Sequence, residues 1–239
     1  MTTQDKVTIT LHTGTTNTLL IVLLFGSLWG AVEALFGGLL HVILPPTYQG
    51  KIMIALAVAL MAIAVRQTRK PWIPFGMALI AAPLKLFSAV VFSLPISAPA
   101  ILNPVFSILA QGAAFALFAM AVEGRRWPVP LRLAVAGTGA GALQSLLFAG
   151  LVRGPGQLLY LPLTAIKELG TKFPYWSLSL SGIGHFLSTS VPYSALAAGA
   201  AAIVIGVIPV RAHTGFRPAF VLTGSALCLG IFFLASWFI

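Results

Sequence analysis

The chain has 239 residues, 59% of them hydrophobic and 8% charged, with a mean hydropathy of +1.00. So few charged side chains cannot cover a water-soluble domain, which excludes an ordinary globule and points to a polytopic membrane protein. The formal charge of +10 does not indicate nucleic acid, because the basic residues sit in short segments between apolar runs and form no single face.

Residues 1–17 are polar apart from a brief alternation at Val7, Ile9 and Leu11, and are expected to form a loosely ordered cytoplasmic tail. No cleavable signal peptide is expected, because the first apolar run is too long for a signal core. Seven apolar runs follow: Leu19–Leu44, Lys51–Val65, Ile73–Leu94, Ala100–Val122, Leu131–Val152, Gly182–Ile208 and Pro218–Phe238. The second is short for a span. The expected fold is therefore all-α, with a six-helix transmembrane core over 18–210. A cytoplasmic loop and an accessory seventh helix would follow over 211–239.

Lys/Arg asymmetry sets the expected orientation. With the N-terminus inside, nine basic residues are cytoplasmic: Lys6, Arg66, Arg69, Lys70, Arg125, Arg126, Arg132, Arg211 and Arg217. Four lie outside: Lys51, Arg153, Lys167 and Lys172. The seventh span would then carry the C-terminus outside. The outer connection over 153–181 contains a Gly-Pro-Gly and several aromatics, and is long enough to act as a lid or as plain surface structure. The single cysteine, Cys228, rules out an intrachain disulfide or a cysteine metal cluster.

The first run holds the most informative residues. Trp29, Glu33, Gly37 and His41 are spaced by four and share one stripe of a helix. Glu33 is one of four acids in the chain, and its expected place is near mid-membrane, where an ionisable group is costly and reads as functional. Beside it, Gly26, Gly30, Ala34 and Gly38 form a small-residue stripe suited to close helix approach. Lys85, midway along the third run, is the other ionisable group, and Glu33 is its natural partner in an ion pair. That pair would be purely structural, or a bound substrate would compete for one partner.

His41 and His185 fall on the same side by topology. They would serve as structural histidines, as substrate hydrogen-bonders, or as ligands of a haem or metal. Asn103 precedes Pro104 at the expected opening of the fourth helix. Gln111 and Gln144 would act as interhelical glue or as site donors, and Ser188, Thr189 and Ser190 lie at similar depth. The GTGAGA at 137–142 follows no strand and reads as helix packing, as does ALAAGAAA at 195–202. No Walker motif, nucleophile elbow or metal signature appears, so no catalytic residue and no metal site is assigned.

The sequence GSLWGAVE with Gly37 and His41 in the first run, AAPLK in the third and LNPVFSIL opening the fourth together resemble a group of bacterial membrane proteins. These are similar to the substrate-binding (S) components of energy-coupling factor vitamin transporters. The resemblance covers about residues 19–120 at motif level. It implies a six-helix protein of the bacterial cytoplasmic membrane that binds a micronutrient on its outer side. It also implies partners, a transmembrane coupling protein with ATPases, met through a small-residue face at Gly26, Gly30 and Ala34. The glycines of that face and the seventh run depart from the family pattern.

The leading expectation is thus a small-molecule binding and uptake protein without cofactor. Glu33, His41, Lys85, Asn103, Gln144 and His185 would line its cavity, with membrane lipid around it and no nucleic acid bound. Two alternatives stand beside it. One is a membrane anchor of a redox complex, holding haem or pigment through His41 and His185. The other is an intramembrane enzyme acting on lipid or quinone, with Glu33 as base.

Overall fold

A computed structural model describes residues 13–43, 46–91, 93, 95–150 and 180–208. These form six helices: α1 (Thr13–Ile43), α2 (Pro46–Thr68), α3 (Ile73–Val91), α4 (Pro99–Val122), α5 (Val129–Phe148) and α6 (Leu180–Val207). Each is long and apolar enough to cross a membrane, so the chain is a multi-pass helical membrane protein. The alternation at Val7–Leu11, the outer connection and the seventh apolar run lie outside the described residues.

The helix boundaries follow the apolar runs, with three differences. α1 begins at Thr13, inside the stretch expected to be a tail. The short second run is carried by a helix of 23 residues, about 35 Å long at the usual rise, because its polar flanks, Tyr48–Gly50 and Arg66–Thr68, continue the same helix. Finally, α4 opens at Pro99 behind the extended Ala98, not at Asn103–Pro104. Proline suits the first helical position, where its missing N–H is no loss. Pro104 instead lies inside the helix, so Asn103 is a helix-interior residue and not a cap.

The helices close into a ring in the order α1, α3, α4, α5, α6, α2, with α2 back against α1 and leaning inward to touch α3, α4 and α5 as well. Small residues make the tightest seams. A methyl group on Gly26 would lie 2.7 Å from Ile80 Cβ and 2.9 Å from the Met77 carbonyl, and one on Gly30 would lie 2.6 Å from Leu84. The α5–α6 seam is similar. Gly137 faces Ala198 and Ala202, Gly141 faces the Ser194 carbonyl, and Gly206 faces Pro130. Both glycine-rich stretches are therefore packing surfaces.

The interior is built of alanines with a few large side chains, among them Trp29, Phe115, Met61 and Met77. Leu19, Leu56, Leu79, Leu117, Leu146 and Leu196 are exposed on the outside. That inversion of size suits a bundle whose solvent is lipid, where association depends on close packing and not on water exclusion. The ends of the helices are pinned by polar contacts. Arg66 on α2 donates to the carbonyls of Ile205 and, at 2.8 Å, Ile208 at the end of α6. Lys70 donates to the Thr18 hydroxyl on α1 at 2.9 Å.

Replacing Gly141 by Ala should lower stability by roughly 1–3 kcal/mol, because the new methyl meets backbone that cannot rotate away. Gly50→Ala on the open face of α2, where nothing lies within 4 Å, should instead gain about 0.5–1 kcal/mol from helix propensity. Thermal unfolding of the two variants in detergent checks the opposite signs.

Candidate functional site

The α1–α3 seam fixes which residues meet. The two helices run in the same direction: Thr18 bonds Lys70, Gly26 faces Met77 and Ile80, and Gly30 faces Ala81 and Leu84. Thr18 and Lys70 are 52 residues apart. Continuing that register by one turn past Gly30 brings Glu33 to Lys85. Both side chains are buried, at 9% and 8% exposure, and each lies within electrostatic reach of the other. The Trp29 indole, one turn back on α1, donates to Glu33 Oε1 at 3.4 Å.

α4 runs the other way along α3, with Gly112 against Pro74 and Ala78. Stepping nine residues back to Asn103 on α4 moves the same distance forward on α3, to the level of Lys85. Asn103 is buried there. One turn inward along α4, Ser107 accepts a 2.7 Å hydrogen bond from Gln144 Nε2 on α5. Glu33, Lys85, Asn103 and Gln144 thus form a polar belt across four consecutive helices of the ring.

The belt does not lie at mid-height. Lys85 is six residues from the end of α3 and Glu33 ten from the end of α1, roughly 9 and 15 Å along their axes. It belongs to the end of the bundle away from Arg66, Lys70 and Arg125. α1 extends beyond its apolar part toward its N-terminus, to Thr13, so a residue central in the apolar run falls off the centre of the helix.

The belt also holds groups that the sequence reading missed. Ser88, one turn beyond Lys85 on the same face of α3, is fully buried and its Oγ has no hydrogen-bond partner. Gln144 Oε1 is likewise buried without a partner. The only sequence signal for Ser88 was its three-residue spacing from Lys85. Unsatisfied buried polar atoms are uncommon, and each calls for a water, an ion or a ligand.

Other candidates are differently placed. His185 is exposed near the start of α6, and its carbonyl accepts from the Ser188 and Thr189 hydroxyls. Those hydroxyls are therefore spent on their own helix. His41 lies in the last turns of α1, and its side chain is outside the described residues. Gln111 is buried and donates to the Ile54 carbonyl on α2 at 3.0 Å, which makes it interhelical glue. The face expected to receive a coupling protein is taken: Gly26 and Gly30 are filled by α3, and Ala34 is buried. A groove of about 310 Å³ between α4 and α5, lined by Phe118, Ala134, Val135, Thr138 and Gly139, contains none of the candidate groups and is apolar. Among the described residues no group of three or more His, Cys, Asp or Glu is placed to hold a metal ion.

A double-mutant cycle on Glu33→Gln and Lys85→Met tests the charge pair. Each single change should cost about 3 kcal/mol or more by leaving one buried charge unmatched. The double variant should recover 1–3 kcal/mol relative to the sum. Additive losses in thermal unfolding would show two independent charges. Comparison with protein-family models, with curated proteins and with solved structures returns no match.

Proposed function

We propose that this chain is a membrane-embedded binding protein for a small polar molecule, held in the belt formed by Glu33, Lys85, Ser88, Asn103 and Gln144. The observation that carries this reading is the pair of buried, unpartnered atoms, Ser88 Oγ and Gln144 Oε1, on either side of the charged residues. These two lie about one turn above and below the charged pair, and the other buried atoms without a partner among the described residues, Gln67 Oε1 and Arg132 Nε, lie at the opposite end of the bundle. Bundles of this kind place polar groups where they fix the orientation of a ligand and let apolar walls bury it. The Glu33 and Lys85 charges balance one another, so the belt can take a neutral or zwitterionic molecule without a net charge in the membrane.

The binding protein would work in uptake together with a separate energising module, as the resemblance to S components implies, in a bacterial cytoplasmic membrane. Since the glycine face of α1 is filled by α3, the module would meet another surface. Among the described residues Arg66, Arg69, Lys70, Arg125, Arg126 and Arg132 share one end of the bundle, and Lys51 is at the other. That asymmetry supports a cytoplasmic basic end, with the belt on the outer side where the ligand would enter.

Ser88→Ala separates a ligand group from a structural one. Removing an unpartnered buried hydroxyl should leave stability unchanged or raise it by up to about 1 kcal/mol. The same change should reduce the small-molecule adduct seen by native mass spectrometry of protein purified gently from its own membrane. A loss of stability with no adduct in either form would sink the binding reading.

A further inference from the structure

The end of the bundle opposite the belt repeats one short arrangement in two separate loops. Between α2 and α3 the chain reads Arg69-Lys70-Pro71-Trp72, and between α4 and α5 it reads Arg125-Arg126-Trp127-Pro128. In each loop a pair of basic residues stands beside a tryptophan. Trp72 and Trp127 are 44% and 41% exposed, and the Arg125 guanidinium lies over the Trp127 ring at 5.8 Å from its centre. Arg69, Arg125 and Arg126 are exposed. Lys70 is anchored to Thr18 on α1, which holds the first loop against the bundle.

The backbone sharpens the point. Arg69 has a φ of 56°, the left-handed conformation in which a helix usually ends on glycine. The equivalent position in the other loop, Gly124 at φ 74°, does use glycine. An arginine at such a site accepts backbone strain and keeps a positive charge where the chain turns.

The chain cannot neutralise this end by itself. It has four acids: Glu33 is in the belt, Glu123 is at the basic end, and Asp5 and Glu168 lie outside the described residues. The compensating anions must come chiefly from outside. Exposed indoles level with the cations select a boundary between hydrocarbon and water, since the amphipathic ring prefers the headgroup region. An acidic protein partner would need the cations but not two tryptophans at lipid depth.

We infer that the two loops form a binding surface for the phosphate of anionic phospholipid headgroups, with Arg69, Arg125 and Arg126 meeting the phosphate and Trp72 and Trp127 seated among the acyl–headgroup boundary. The arrangement ties the protein's basic end to anionic lipid in the leaflet it faces, independently of what the belt binds.

The test uses the full chain in nanodiscs of mixed phosphatidylcholine and phosphatidylglycerol, with the lipids retained on release read by native mass spectrometry. Phosphatidylglycerol should be enriched over phosphatidylcholine on the order of a hundredfold, given about fivefold for each of three basic residues at an anionic surface. Arg69→Gly should lower that enrichment about fivefold while holding or raising the unfolding temperature, because glycine suits the left-handed turn. The pair Arg125→Gln and Arg126→Gln should lower it further, and Lys51→Gln at the other end should leave it unchanged. Equal retention of the two lipids, unchanged enrichment in the loop variants, or an equal effect of Lys51→Gln would overturn the inference. Displacement of the retained lipid by millimolar inorganic phosphate or pyrophosphate would overturn it in favour of a soluble anion, and displacement by a co-purifying protein would assign the surface to that partner.

Discussion

Backbone approach is the constraint on which this structure depends. In a membrane, lipid tails are as apolar as leucine, so helices associate where shape allows close contact and not where water is expelled. The α1–α3 and α5–α6 seams are made of glycine facing backbone or Cβ, with little tolerance for a larger side chain. Once these seams are fixed, register is fixed too, and many of the leucines are left on the outside. The position of Glu33 beside Lys85 is a product of glycine packing one and two turns away, not of attraction between the charges alone.

Polar groups in the bundle divide by what they do with their hydrogen bonds. Gln111 spends its amide on the Ile54 carbonyl, Arg66 on the end of α6, and Ser188 and Thr189 on their own helix. These fasten or bend the scaffold. Ser88 and one side of the Gln144 amide remain open about one turn to either side of the charged pair, and Gln67 Oε1 and Arg132 Nε remain open at the opposite end. The separation is informative because the same residue types appear in both classes. Burial and partnership distinguish them, and neither property is visible in a residue name.

The fold was largely legible in the sequence, because a helix that crosses hydrocarbon must be apolar for its whole length and the runs mark its extent. The glycine clusters at 137–142 and 195–202 were also legible as packing, since no strand precedes the first and both lie in apolar runs. What the spacing of Gly26 and Gly30 does not encode is the identity of the neighbour. A small-residue stripe specifies close approach, and α3 fulfils it as well as another protein would. Pro104 misled for a related reason: proline marks a first turn or an interior position equally, and Pro99 a few residues earlier holds the true start. Glu33 is central in its apolar run yet off-centre in its helix, because polar Thr13–Asn17 are helical as well. Ser88 was passed over because a serine in an apolar run is ordinary until its hydroxyl is found without a partner.

The ring order has a consequence for how the protein is made. Chain order and spatial order disagree at α2, which leaves the translocation machinery second yet ends up between α1 and α6. The glycine face of α5 and the flank of α2 that carries Arg66 therefore wait, exposed to lipid and to other chains, until α6 is delivered to cover both. Closure of the bundle is a late event in biogenesis, and a chain halted before α6 would present two sticky surfaces to the quality-control proteases of the membrane.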